Sequence, residues 1–138
     1  MSAGATFACA ACGGTAAVVT LLSPGDPLPD VLRRPHGASD PVLLGRDVLG
    51  DRTWLVIAGG PVSKAVSVLP ADEIAAALER ADAAALHAVD AELAPFWCPA
   101  CGAAYCADHY RSWVTFDDGF YDATYGECPA GHERMLDD

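Results

Sequence analysis

Basic residues are scarce in this chain of 138 residues, which has 8 Lys and Arg against 19 Asp and Glu and a formal net charge of −11. A surface of that sign repels a phosphate backbone, so nucleic-acid binding is not expected. The sole candidate for a local basic patch is Arg33, Arg34 and His36. We expect a basic or neutral protein partner.

Long apolar runs are also missing, since no uncharged stretch approaches the roughly 18 residues of a membrane span. Residues 1–4 and the early Cys9 provide neither the basic nor the apolar region of a secretory signal. We therefore expect a cytoplasmic protein that does not enter membranes. Thiols stay reduced in that compartment, where paired cysteines indicate metal or redox chemistry. The excess of Arg over Lys hints at a bacterial genome.

Cysteine is absent between Cys12 and Cys98, and this interval has the apolar composition of a separate body. Residues 16–22 predict a buried strand because they form a continuous apolar run. Residues 53–58 and 65–69 are β-rich runs separated by a turn, which predicts two further strands. Residues 23–41 are predicted to form a loop.

Residues 71–94 predict one long helix, with acidic residues in its first turn and Pro95 after its end. Its apolar residues recur at helical spacing: Ile74, Leu78, Ala81, Ala85, Val89 and Leu93. His87 lies away from this stripe and is predicted on a solvated face.

Residues 113–116 and 120–125 flank Asp118-Gly119, a two-residue signal for a β-hairpin with a type I′ turn. The nearby carboxylates lack the ligand register of a calcium site, so we interpret them as turn and surface residues.

Cysteine and histidine fall into four ligand-like pairs: Cys9–Cys12, Cys98–Cys101, Cys106–His109 and Cys128–His132. Two residues between ligands let both sulfurs face one tetrahedral ion. Eight ligands complete two sites with no open position for a catalytic water, so we predict two structural zinc ions and no catalytic residue. Ordinary buried thiols and a Cys-x-x-Cys redox protein are the alternatives.

The pairs combine in one of two ways. The second and third pairs are close enough in sequence to share an ion locally. In a cross-braced arrangement, each ion instead receives three cysteines and one histidine. Site one is then Cys9, Cys12, Cys106 and His109. Site two is Cys98, Cys101, Cys128 and His132.

The run from Cys98 through Tyr105, Cys106 and Trp113 to Cys128-Pro129 resembles a RING-type, treble-clef cross-brace zinc finger. The resemblance covers residues 9–12 and 96–138 and implies the cross-braced pairing of the two sites. The long interval after Cys12, the final His132 and the small Ala10 and Ala11 depart from the family pattern. Arg134 matches the family's activating arginine only loosely. The resemblance therefore implies the scaffold more than a ligase activity.

From these features we predict an α+β protein with a small antiparallel sheet and one long helix. Residues 1–15 and 96–138 would form a two-zinc, cross-brace, treble-clef-like module around an inserted α+β body of residues 16–95. We expect a protein-interaction adaptor rather than an enzyme, with a RING-like ubiquitin-type ligase and a thiol redox protein as alternatives. Five aromatic residues are candidates for the partner surface: Trp97, Trp113, Phe116, Phe120 and Tyr121.

Overall fold

A computed structural model of the chain describes residues 3–23, 53–68 and 71–138. Nearly all of the predicted loop over residues 23–41, with the basic candidates Arg33, Arg34 and His36, lies outside these residues. Leu69, the last residue of a predicted strand, also lies outside them.

The first sheet has four antiparallel strands in sequential order. They are β1 (Ala3–Ala8), β2 (Thr15–Leu22), β3 (Trp54–Gly59) and β4 (Lys64–Ser67). The strands predicted from residues 16–22 and 53–58 are confirmed as β2 and β3, and β4 confirms the third over the described residues. Apolar β2 and β3 form the centre of the sheet, which explains why most of the buried side chains of this sheet belong to them.

The single long helix predicted over residues 71–94 is wrong. The structure has two short helices, α1 (Ala71–Glu79) and α2 (Ala83–Val89), followed by a 3₁₀ turn at Ala91–Leu93. With nine strands in antiparallel sheets, the described part of the chain is mostly β, and the α+β description is corrected accordingly. Neither helix has the length and apolarity that a membrane crossing requires.

The break between α1 and α2 has a local cause at Ala81 and Asp82. Ala81 adopts a left-handed conformation with a φ of 48°. The Asp82 carboxylate then accepts a hydrogen bond of 3.0 Å from the Ala85 amide, so it caps the start of α2. Asp90 caps the 3₁₀ turn in the same way through the Glu92 amide, at 2.9 Å. Capping by aspartate therefore divides a segment whose apolar spacing is continuous.

The C-terminal part contains a two-stranded ribbon and a three-stranded antiparallel sheet. The ribbon consists of β5 (Trp97–Cys98) and β6 (Ala103–Ala104). The sheet consists of β7 (Arg111–Asp117), β8 (Phe120–Glu127) and β9 (Glu133–Asp137). The predicted hairpin is confirmed, and its turn residues Asp118 and Gly119 have φ values of 50° and 82°, both positive as a type I′ turn requires.

One buried apolar cluster connects these parts, and it includes Cys9, Cys98 and Cys128. The ring of Phe7 on β1 lies 4.8 Å from that of Phe96, which directly precedes the ribbon. Because β1 pairs with β2, the ends of the chain and the central segment share a core. The division into a module of residues 1–15 and 96–138 and a body of residues 16–95 stays a prediction.

His87 is half-buried on α2 rather than on a solvated face. Its ring lies 5.2 Å from that of Trp97. Burial, with a smaller contribution from the nearby Arg134, lowers the pKa of His87. The histidine is therefore part of the packing beside the ribbon.

Candidate metal centres

The first candidate centre joins two tight turns from opposite ends of the described chain. Cys9 and Cys12 lie in the turn between β1 and β2, where the Gly13 amide donates to the Cys9 carbonyl oxygen at 2.8 Å. Gly13 has a φ of 74°, a conformation that glycine adopts without steric cost. Cys106 and His109 lie in the turn before β7, closed by the His109 amide and the Cys106 carbonyl oxygen at 3.0 Å.

The second candidate centre repeats this construction. Cys98 and Cys101 form the turn between β5 and β6, and the Gly102 amide donates to the Cys98 carbonyl oxygen at 2.8 Å. The turn between β8 and β9 carries Cys128 and His132, with the Gly131 amide 2.9 Å from the Cys128 carbonyl oxygen. Each centre thus combines one Cys-x-x-Cys turn with one Cys–His turn.

The ligand atoms of site one converge on a common point, since all four lie within 4.8 Å of one another. The Sγ atoms of Cys12 and Cys106 are 3.8 Å apart. The Nδ1 atom of His109 is 3.1 Å from the Cys106 sulfur and 3.9 Å from the Cys9 sulfur. The structure therefore brings together the four residues that the cross-braced prediction assigned to this site.

The ligand atoms of site two converge in the same way. The Sγ atoms of Cys101 and Cys128 are 3.7 Å apart. The Nδ1 atom of His132 is 3.3 Å from each of those sulfurs and 3.7 Å from that of Cys98. Local sharing of one ion by the second and third pairs does not match this arrangement, because Cys106 lies with Cys9 and Cys12 in site one.

These distances match the edges of a tetrahedral metal site. With metal–sulfur bonds of about 2.3 Å and metal–nitrogen bonds of about 2.0 Å, tetrahedral geometry places two sulfurs about 3.8 Å apart and a sulfur about 3.5 Å from a nitrogen. The sulfur–sulfur separations are also far longer than the roughly 2.05 Å of a disulfide bond, and all six cysteines are free. Two Cys3His groups suited to two metal ions are therefore present in the described residues.

Backbone amides favour the thiolate form at one buried sulfur of each centre. Burial alone would raise the pKa of Cys9, but backbone hydrogen bonds from Cys106, Cys12 and Ala11 outweigh it and lower the pKa to about 6. Burial would likewise raise the pKa of Cys128, whose backbone hydrogen bonds from His132 and Ala130 contribute to lowering it to about 7. Metals bind thiolates, so these amides prepare both centres for a cation.

Tyr105 supports site two through a contact that the sequence did not predict. The neighbouring Cys101 sulfur, together with burial and the charges of the other site-two sulfurs, raises the pKa of Tyr105 to about 12. The phenol therefore stays protonated beside the sulfur. The sequence signal was the position of this aromatic residue directly before Cys106, a residue of site one. The sulfur that it lies beside, that of Cys101, belongs to site two.

The two centres are connected through the ribbon and differ in exposure. The Ala10 amide, in the first Cys-x-x-Cys turn, donates to the Ala104 carbonyl oxygen at 2.8 Å. Each centre has buried sulfur on its inner side, whereas Cys12 and His132 are exposed. The centres therefore lie at the surface but are anchored in the core.

Arg134 points inward instead of presenting its guanidinium to a partner. Its Nη2 atom donates to the carbonyl oxygens of Ala94 at 2.7 Å and Trp97 at 2.8 Å. These bonds hold the segment that leads into Cys98. The loose sequence match between Arg134 and an activating arginine is therefore not supported by its position.

A family model described as Domain of unknown function (DUF8328) matches residues 1–138. No curated protein and no solved structure matches the chain.

Proposed function

Since the chain belongs to the DUF8328 family, whose description names no activity, we propose a function from the geometry of its two centres: it is a structural two-zinc protein that acts as an interaction adaptor. The observation that carries this proposal is the convergence of three sulfurs and one imidazole nitrogen at each centre within 4.8 Å. The eight ligands are Cys9, Cys12, Cys106 and His109 in site one, and Cys98, Cys101, Cys128 and His132 in site two.

Zinc is the proposed metal because the donor set suits it. Thiolate and imidazole ligands in a tetrahedral arrangement are typical of structural zinc sites, whereas calcium and magnesium prefer oxygen ligands. The turn glycines and the sulfur–sulfur distances of 3.7 and 3.8 Å support such an arrangement. Each centre would carry one net negative charge, from three thiolates and a divalent cation.

A structural role follows from the number of protein ligands. A catalytic zinc site usually has three protein ligands and keeps one position for water or substrate. Four converging side chains at each centre occupy every tetrahedral position. This count supports stabilisation of the fold rather than chemistry at the metal.

The adaptor role is supported by apolar side chains that the fold leaves exposed. Phe116 is 69% and Phe120 is 76% exposed, at the end of the hairpin formed by β7 and β8. Trp97 and Trp113, which the sequence also nominated, are half-buried against His87 and against Tyr125, respectively. The exposed aromatic surface is therefore concentrated on the hairpin.

A RING-like ubiquitin-type ligase is the second candidate, favoured by the cross-braced order of the ligand pairs. Two observations weaken it: the inward-facing Arg134 and the small side chains at Ala10 and Ala11. Self-modification would be a poor assay, because Lys64 is the sole lysine and its half-buried ammonium pairs with Asp137 at 2.9 Å. Discharge of a ubiquitin-type protein from its conjugating enzyme to free lysine is the appropriate test.

A thiol redox role is less well supported. Reactive Cys-x-x-Cys motifs gain reactivity at a helix N-terminus. Cys12 is followed by a glycine turn and β2, and Cys101 by a glycine turn and β6. Neither motif begins a helix.

Elemental analysis of the purified full-length chain tests the metal proposal directly, with two zinc ions per chain as the expected result. Chelation should then release both ions and unfold the protein, because structural zinc contributes on the order of 10 kcal/mol while whole domains are stable by roughly 5–15 kcal/mol. Circular dichroism would follow the unfolding, and added zinc should reverse it. A chain that folds fully without metal, or that discharges a conjugating enzyme, contradicts the proposal.

A further inference from the structure

The tip of the β7–β8 hairpin carries a cluster of exposed apolar residues, which we name the hairpin patch: Val114, Phe116, Phe120 and Tyr121. Phe116 and Tyr121 are directly opposite each other in the register, and Val114 precedes Phe116 by two residues on the same strand. Side chains two apart on a strand share a face, so Val114, Phe116 and Tyr121 form a continuous surface. Large exposed apolar clusters of this kind mark binding surfaces.

In the described part of the chain, carboxylates at the hairpin tip outnumber nearby basic groups, and Lys64 is already paired with Asp137, the carboxylate to which the Tyr121 hydroxyl donates. Asp118 lies in the turn, and Asp117 and Asp122 are exposed on the other face of the hairpin, where the Thr115 hydroxyl donates to Asp122 at 3.2 Å. Five carboxylates and no Lys or Arg occur between Arg111 and Arg134. Arg134 points into the core, and Arg111 lies 4.9 Å above the Trp113 ring and 3.6 Å from Glu127. The hairpin tip therefore has an acidic rim on the face opposite Val114 and Phe116, which suits a partner segment that alternates apolar and basic residues.

Strand β7 also provides a backbone edge. Among the described residues the sheet order is β7-β8-β9, so β7 pairs on one side only. Edge strands are usually protected by lysine, proline or a short length. β7 has seven residues, Arg111–Asp117, and contains neither lysine nor proline. Its outer edge can accept an added strand.

We propose that β7 binds an extended, basic segment of another protein as an additional strand of the sheet. Apolar side chains of that segment pack on the hairpin patch, and its Lys and Arg residues contact the carboxylates of Asp117, Asp118 and Asp122. Strand addition supplies affinity through backbone hydrogen bonds and specificity through alternate side chains. The inference rests on the proposed adaptor function, because it identifies the surface and the partner class.

Charge favours a basic protein segment over two other possible partners of β7, a second copy of the chain and a nucleic acid. A second copy of the chain brings the same net charge of −11 and the same acidic rim, so pairing of two hairpins is opposed by repulsion. A nucleic acid would face the same repulsion from the phosphates. A basic polypeptide segment can pack apolar side chains on the hairpin patch and pair its Lys and Arg residues with the carboxylates of the acidic rim.

Selection of random peptides displayed on phage, using the zinc-loaded full-length chain as bait, tests the proposal. Enriched peptides should alternate apolar residues with Lys or Arg, and one of them, synthesised with a fluorescent label, gives an affinity by anisotropy. Added salt should weaken its binding. Hydrogen exchange should slow in β7 when the peptide is bound. Enrichment of acidic peptides, an absence of any enrichment, or protection confined to another region would overturn the proposal.

Matched variants distinguish loss of the binding surface from loss of the folded structure. Phe116→Ser with Phe120→Ser should weaken peptide binding by about tenfold or more, since buried aromatic anchors dominate interface affinity. Asp117→Lys with Asp122→Lys should also weaken it. Met135→Ser is the control, because Met135 is an exposed apolar residue of the same sheet but lies on β9, opposite Tyr125.

Zinc content is measured for every variant, so that failure of the hairpin-surface proposal can be distinguished from failure of the proposed function. If the double phenylalanine variant retains two zinc ions and full peptide affinity, the hairpin surface is wrong while the adaptor function stands. If the wild-type chain lacks zinc, the proposed function itself is wrong. If the wild type is a dimer that the same double variant dissociates, the occupant is a second copy and the proposal is overturned.

Discussion

The sulfur atoms of Cys12 and Cys106 lie 3.8 Å apart although 94 positions separate these residues in the chain. Closing so long a loop costs conformational entropy, which must be offset by the bonds that hold its ends. Coordination to a shared ion would supply such bonds from this donor set. The centre therefore ties the turn after β1 to the turn before β7.

Replacement of Cys12 by serine is expected to reduce the metal content from two zinc ions to one. The substitution removes one of four ligands of site one, whereas site two shares no ligand with it. Cys106→Ser should have the same effect, because both sulfurs serve the same ion. Elemental analysis and native mass spectrometry measure the stoichiometry.

Ala10→Ser is the matched control for Cys12→Ser. Ala10 is an exposed residue of the same turn and offers no ligand atom, so this variant should retain two ions. Retention of both ions by Cys12→Ser would show that the proposed ligand pairing is wrong.

Removal of the Tyr105 hydroxyl should weaken zinc binding at site two while leaving the fold intact. The protonated hydroxyl lies beside the Cys101 sulfur, which raises its pKa, and the ring packs in the core. Loss of a hydrogen bond to a metal ligand typically lowers metal affinity by about tenfold or more. Competition between the protein and a zinc chelator of known affinity would measure this loss for Tyr105→Phe.

Tyr110→Phe provides the comparison for Tyr105→Phe. Tyr110 is also buried, its ring lies 6.1 Å from that of Tyr105, and its hydroxyl makes no hydrogen bond to a described residue. Zinc affinity should therefore change little in this variant. Equal zinc affinities of the two variants would show that the Tyr105 hydroxyl does not support zinc binding at site two.

Arg134→Met is expected to destabilise the protein by about 2–4 kcal/mol, because it removes two charge-assisted hydrogen bonds to buried carbonyl oxygens. Those oxygens belong to Ala94 and Trp97, at 2.7 and 2.8 Å. Urea unfolding of the zinc-loaded protein measures the change, and two zinc ions should remain bound.

Arg111→Met is the control for the loss of a guanidinium. Its ion pair with Glu127 is long, at 3.6 Å, and the Arg111 side chain is 69% exposed, so its contribution is under about 1 kcal/mol. If Arg134→Met costs no more than Arg111→Met, the guanidinium is free to serve a partner and the ligase candidate gains support.

The ligand groups were predictable because their chemistry is local. Each Cys–Cys or Cys–His pair is recognisable from its spacing, and Gly13 and Gly102 follow the two Cys-x-x-Cys turns. The hairpin was equally predictable, since Asp118 and Gly119 form a turn by their own conformational preferences. Such signals need no information about the rest of the fold.

Contacts between distant segments were not predictable in the same way. The proximity of Tyr105 to the Cys101 sulfur and the inward orientation of Arg134 depend on how the ribbon packs against the last sheet. The helix break escaped prediction for another reason. Alanine is the strongest helix former, so Ala81 gives no sign of a boundary, and only the capping residue Asp82 indicates one.

Ala81→Gly should stabilise the protein by about 1 kcal/mol, an effect opposite in sign to that expected inside a helix. Ala81 has a φ of 48°, and a left-handed conformation costs an L-residue roughly 1–2 kcal/mol that glycine does not lose. Ala76→Gly, within α1, should instead destabilise by roughly 0.5–1 kcal/mol, because glycine is unfavourable in a helix interior. Urea unfolding of both zinc-loaded variants would give the sign of each change in the free energy of unfolding. If both substitutions destabilise equally, Ala81 lies within a continuous helix and the division between α1 and α2 is wrong.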